Sequence, residues 1–210
     1  MVAFAEDLAA HGGNPKVIEE VCIDMSPAFI KGVAENLPEV VVTYDQFHAV
    51  KIINDAIDQV RRAEQKQQGV LGGTRYIWLR NPDNLSERQR STLEALPTRH
   101  LKTARAYQIR LAFQDLYEQP SDEAAGYLKK WYFWATHSRL EPIIDAAHTV
   151  KRHWDGILRW FDSKIANGLI EGINSLVQAA KAKARGYRST RNLKAMIYLV
   201  AGELDLRLPA

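Results

Sequence analysis

Four side chains in this sequence have the types and placement that metal-assisted chemistry on a polyanion requires. Asp24 and Asp45 each close a short β-type run, residues 17–23 and 40–44. His48 stands three positions after Asp45, and Glu171 is the lone acid of residues 167–191, NGLIEGINSLVQAAKAKARGYRSTR. A hard divalent cation takes anionic oxygen ligands on rigid supports. Two carboxylates at strand ends and a third at a helix start can together build a two-metal site for phosphoryl transfer. Asp45 and His48 are close enough along the chain to hydrogen-bond, which would orient the imidazole near such a site. The same residues have plainer uses. Asp is a favoured helix N-cap in a βα turn, and a single histidine at a helix start is more often structural.

Positive charge follows Glu171 without interruption. Lys181, Lys183, Arg185, Arg188, Arg191 and Lys194 have no acid among them. Read as one helix, Glu171, Asn174, Gln178, Lys181 and Arg185 share a stripe, while Ile173, Val177, Ala180 and Ala184 form an apolar one. The net charge of the 210 residues is only +3, so distribution carries the information. A local basic stripe is the usual electrostatic footprint of nucleic-acid binding. The competing assignment is a merely solvated face.

Other chemistries lack support. The one cysteine, Cys22, excludes an internal disulfide framework and a cysteine-based zinc site, and its apolar surroundings suit an inert thiol. His11, His100, His137, His148 and His153 show no metal-ligand spacing. No glycine-rich phosphate loop and no nucleophile elbow is present. Trp78, Trp131, Trp134, Trp154 and Trp160 read mainly as core, and Trp131-Tyr132-Phe133-Trp134, apolar all round, predicts a buried helix. Arg61-Arg62 and Lys129-Lys130 read as solvated pairs. No apolar window of about 18 residues predicts a membrane span. The first ten residues lack a basic n-region, so a cytoplasmic location is the default expectation.

The elements that position these residues follow from spacing. A helix at 3–10 ends at His11-Gly12-Gly13-Asn14-Pro15. Strand 17–23, helix 27–36 with Ser26 as N-cap and Pro27 in its first turn, and strand 40–44 make a parallel βαβ unit. In such units ligands collect beyond the carboxyl ends of the strands. After Asp45 the β signal ends. Helix 47–64 carries Val50, Ile53, Ile57 and Val60 on one face. Ser86 and Gln89 form a capping box, and helix 101–118 follows. Ser121 caps a helix that runs through the four aromatics, and Pro142 starts another that continues through Trp154 to Phe161. Two parallel strands do not make an independently stable sheet, so the expectation is a mainly α protein with a small α/β part that is incomplete by itself.

The segments VCIDMSPAFIKGVAENLPEVVVTYDQFHAVKIINDAIDQVRR and NGLIEGINSLVQAAKAKARGYRS, with LKTARAYQIRLAFQDLY and HWDGILRWF between them, resemble bacterial insertion-sequence transposases of the ISL-three type over nearly the whole chain. The resemblance implies a DDE-type enzyme that cuts and joins DNA with Mg²⁺ at transposon ends. The implied fold is a partial ribonuclease-H-like core (two parallel strands, 1–65) interrupted by an all-helical insertion (66–162). Core helices at 163–210 would carry the glutamate and the basic stripe. Asp24 takes the place of the second catalytic aspartate and Glu171 that of the glutamate, both as Mg²⁺ ligands. Asp45 and His48 match the family's supporting Asp/Cys-x-x-His signature, and Asp45 is the alternative second acid. Lys181, Lys183, Arg185, Arg188 and Arg191 are the DNA track. The first aspartate is expected ahead of Met1, which leaves this chain inactive alone; a homodimer is a further expectation. The alternative is a non-catalytic helical module, from a decayed transposase, that binds nucleic acid or protein.

Overall fold

The computed structural model describes residues 2–202. They divide into two compact units at the boundary between Ile165 and Ala166, each considered by itself.

The first unit opens with α1 (Val2–Ala10). Asn14 then accepts the N–H of Lys16 at 3.0 Å and caps a single 3₁₀ turn at Pro15–Val17. The first strand, β1 (Glu20–Ile23), therefore begins later than the apolar run suggests. Pro15 pre-sets a turned backbone and Asn14 holds it, so Val17 is spent on the turn. Helix α2 (Pro27–Asn36) crosses over to β2 (Val41–Tyr44). The two strands pair in parallel with Glu20 opposite Val41 and Ile23 opposite Tyr44, the expected βαβ unit.

The rest of this unit is helical: α3 (Gln46–Gln65), α4 (Arg75–Trp78), α5 (Glu87–Ala95), α6 (Lys102–Asp115), α7 (Ser121–Thr136), α8 (Glu141–Arg152) and α9 (Trp154–Ser163). The core centres on α3, which packs against α6 and α8. Ala49, Ile53, Ala56, Ile57 and Val60 are its buried stripe, against Phe113, Leu128, Trp131, Ile143 and Val150. Val50, placed in that stripe by spacing, is only half-buried. The small Ala49 lies closer to the centre of the buried arc.

Buried charges hold the helices in register. Glu64, near the end of α3, accepts the backbone N–H of Lys102 and of Thr103 (2.8 Å each) and the Thr103 hydroxyl (2.7 Å). It thereby caps α6 from another helix, where the N-cap residue Leu101 has no polar side chain to offer. Asp58 is buried beneath Arg61, Arg62 and Arg75. Burial alone would raise its carboxyl, but the hydrogen bonds and charges of Arg61 and Arg62 outweigh that, and the net displacement is downward. The buried Arg110 guanidinium donates to Asn54 Oδ1 and to the carbonyls of Arg80 and Leu79, tying α6 to α3 and to the turn after α4.

Several local expectations are corrected. Ser121 is the first helical residue of α7, with Pro120 at the N-cap. The helix started by Pro142 does not continue to Phe161. It stops at His153, and the bend lays α9 along β2, where Gly156 meets the ring of Tyr44 and the carbonyl of Val42 with no room for a Cβ. In the aromatic run only Trp131 is core. Phe133 is 64% exposed and Trp134 40%. A helix seated on one side buries roughly every fourth residue, here Ala124, Leu128, Trp131 and Ala135, whatever the hydropathy of the others.

The second unit consists of α10 (Gly168–Lys183) packed on α11 (Thr190–Ala201). Residues 167–191 are therefore not one helix. Arg185 takes the left-handed conformation (φ 54°), and the N–H of Gly186 bonds to the carbonyl of Lys181 at 2.9 Å. This is a helix-terminating Schellman arrangement. Ser189 then caps α11, accepting the N–H of Asn192 at 3.3 Å. Among the described residues no helix is long and apolar enough to cross a membrane.

Candidate metal centre and basic surface

Parallel pairing brings the two strand-end aspartates side by side. The N–H of Asp45 bonds to the carbonyl of Ile23 at 3.0 Å, so Asp24 and Asp45 leave adjacent strands at the same level. Their side chains do different work. Asp45 is fully buried and is the N-cap of α3. Its Oδ1 accepts the N–H of Phe47 at 2.9 Å and of His48 at 3.2 Å. The same oxygen faces His48 Nδ1 at 3.2 Å, and the tautomer protonated on Nδ1 donates to it. The sequence expectation of an Asp–His pair at a helix start is met, and so is the plainer assignment of Asp45 as a cap.

Asp24 is half-buried and does not cap α2. Its Oδ1 accepts the N–H of Ser26 at 2.8 Å, an Asx-type turn. Ser26 occupies the N-cap position, as expected, but makes no side-chain capping bond. No hydrogen bond engages Asp24 Oδ2 among the described residues. The side chain lines a pocket of about 200 Å³ together with His48, Lys51, Ile52 and Asp55. His48, Lys51 and Asp55 recur at helical spacing on one face of α3, and Lys51 Nζ lies 3.3 Å from Asp55 Oδ2. Lys51 and Asp55 were not singled out from the sequence. Their spacing from His48 was the available signal, but it acquires meaning only once β1 delivers Asp24 to the same face.

The donor chemistry suits a hard divalent ion at Asp24, an anionic oxygen on a rigid strand end with one oxygen uncommitted. At Asp45 one carboxylate oxygen is taken up by the backbone N–H groups of Phe47 and His48 and faces His48 Nδ1. Nearby groups do not compete as nucleophiles. Burial first, then the charges of Asp45 and Glu20, push the Cys22 thiol up to about 11, so it stays protonated. Tyr117 is likewise displaced upward, by burial and then by Asp45.

In the second unit Glu171 is exposed in the first turn of α10, where the N–H of Glu171 bonds to the carbonyl of Asn167 at 2.9 Å. A carboxylate there is favoured by the helix dipole. Lys181 and Lys183 lie in the last turn of α10, Arg185 and Arg188 in the connection, and Arg191 at the start of α11. All five are exposed. They form a basic turn between two helices rather than a stripe along one.

Comparison with known proteins is consistent along the chain. The family described as a transposase, of ISL3 (ISL-three) type, matches residues 1–197. The transposase for insertion sequence element IS1001 of Bordetella parapertussis is 29% identical over 89% of this chain and 48% of its own length. The transposase for insertion sequence element IS1557 of Mycobacterium tuberculosis is 25% identical over 87% of this chain and 47% of its own length. The chain thus spans about half the length of these relatives. No solved structure matches it. With a family match over almost all its residues and two relatives of the same kind, this chain belongs to the ISL3-type transposases.

Proposed function

We propose that the chain carries two of the three acids of a DDE-type centre for Mg²⁺-dependent DNA cleavage and strand transfer, Asp24 and Glu171. On this reading β1 and β2 belong to a ribonuclease-H-like sheet. Residues 66–162 are its helical insertion, and 163–210 return the glutamate and the basic turn. The same reading holds that the chain alone is inactive in strand transfer. Self-association into a homodimer belongs to the same reading.

The observation that carries the proposal is the division of labour between the strand-end aspartates. Asp45 is fully buried and its Oδ1 meets three nitrogens of α3, whereas Asp24 makes one backbone hydrogen bond and lines a polar pocket. The alternative assignment has Asp45 as the second acid. Bound Mg²⁺ would supply charge stabilisation and activation of an oxygen nucleophile at a DNA phosphate. The chain's own residues hold the carboxylate on a rigid strand end, orient His48 through Asp45, and offer Lys181, Lys183, Arg185, Arg188 and Arg191 to the phosphates of transposon ends.

The test is Asp24→Asn and Glu171→Gln, each placed in a transposase that contains this chain. Loss of metal charge stabilisation worth several kcal/mol predicts about a thousandfold slower end cleavage or more, with DNA binding retained. Unchanged cleavage in either variant would overturn the assignment. A decayed, non-catalytic module would show no Mg²⁺-dependent cleavage even before substitution.

A further inference from the structure

The exposed half of α7 presents aromatic rings and cations together. Lys129, Phe133 and His137 follow one another at four-residue spacing, with Lys130 and Trp134 alongside. The Phe133 and His137 rings are stacked with centroids 4.0 Å apart and planes inclined by 28°. Core contact does not account for the exposed pair, since Ala124, Leu128, Trp131 and Ala135 fill the buried side of the helix. Charge on the segment has one sign. Between Glu123 and Glu141 the sequence has Lys129, Lys130 and Arg139 and no carboxylate. All three cations are exposed, and none forms an ion pair among the described residues. The aromatic strip extends to the neighbouring helices. Tyr132 meets His148 and Trp154 edge-on, and Lys151 Nζ sits 4.4 Å above the Trp154 ring.

We propose that this α7 face is a stacking platform for unpaired bases of single-stranded DNA, with Phe133 and Trp134 as the base contacts and Lys129 and Lys130 on the adjacent phosphates. The proposal takes the class of nucleic acid from the transposase reading and adds a second DNA surface to it. Flat aromatic faces flanked by cations are what sequence-tolerant single-strand binding uses, because every base has a π-face and every nucleotide a phosphate. A duplex hides its base faces and gains only from the lysines. A second copy of the chain fits this face less well, since a two-fold contact would set Lys129 and Lys130 against their own equivalents.

The experiment compares the 210-residue chain with its Phe133→Ala/Trp134→Ala variant by fluorescence anisotropy. The probes are a short labelled thymidine oligonucleotide and a duplex of the same length. Loss of two stacking contacts predicts single-strand affinity lower by about tenfold or more, with duplex affinity unchanged. Because both side chains lie off the buried side of α7, the circular dichroism spectrum should match the parent. The exchange Phe133→Trp with Trp134→Phe should retain single-strand binding, and Lys129→Gln/Lys130→Gln should flatten its salt dependence. Equal single-strand affinity in parent and alanine variant would overturn the proposal. So would a variant whose only change is a shift from dimer to monomer in sedimentation, which would make the face a self-association surface. None of these readouts involves cleavage, so failure here leaves the assignment of Asp24 and Glu171 standing, and failure of that assignment leaves the platform to be judged by its own binding data.

Discussion

Asp24 and Asp45 are the same residue type at the same level of adjacent strands, and their environments separate them. Asp45 is sealed under the first turn of α3, where its carboxylate replaces water for two backbone donors and one ring nitrogen. Removing such a cap costs about 0.5–2 kcal/mol, and leaving buried donors unsatisfied adds to that. Asp45→Ala is therefore expected to destabilise the fold by about 2 kcal/mol or more in urea denaturation. Asp24 makes one backbone hydrogen bond at a half-exposed turn, and Asp24→Ala should cost about 1 kcal/mol or less. The contrast is diagnostic. A structural Asp45 with a dispensable Asp24 agrees with Asp24 as the chemical residue, while equal losses would remove the argument for dividing their roles. Spacing alone gave both acids the same strand-end claim, and only the family resemblance put Asp24 ahead of Asp45, because nothing in their neighbours states which carboxylate turns inward.

At the scale of elements, the helices of the first unit are joined by polar groups as much as by apolar faces. Glu64 shows how one helix completes another: α6 begins with a leucine at its N-cap, and a carboxylate from α3 takes its free N–H groups. Three hydrogen bonds to a buried charge are at stake, so Glu64→Ala should lower stability by about 3 kcal/mol. Glu64→Gln should lose less, since it keeps one acceptor oxygen. Urea denaturation of both variants checks this, and a cost below about 0.5 kcal/mol for the alanine variant would mean that water caps α6 equally well. Element type was legible in the sequence wherever a local device sets it. The capping box at Ser86 and Gln89, the βαβ spacing and the long periodic α3 all occur as expected. One misread boundary lies where a distant contact intervenes, with Gly156 against Tyr44 at the bend after α8, and another where a local cap was overlooked, with Asn14 and Pro15 taking Val17 out of β1.

Across the whole molecule, charge is segregated although the sum is small. The cations between Lys181 and Arg191 lie in one basic turn of the second unit, separated in sequence from the acids at 118, 122 and 123. If this turn is the DNA track, replacing Lys181, Lys183, Arg185, Arg188 and Arg191 by alanine removes up to five phosphate contacts. The slope of log affinity against log salt for duplex DNA should then fall by about 4. Titrations at several salt concentrations measure it directly, and an unchanged slope would identify these residues as an ordinary solvated surface. The sequence by itself determined the helical character, the parallel βαβ unit, the acids beyond its strands and the run of uninterrupted positive charge, because these depend on spacing along the chain. The tertiary structure decided that Asp45 is the buried cap of α3 while Asp24 lines a pocket, that the aromatic run exposes Phe133 and Trp134, and that the basic stripe is broken into a turn. Those outcomes follow from which side of each element finds a packing partner and where a left-handed residue ends a helix, and neither is fixed by local sequence alone.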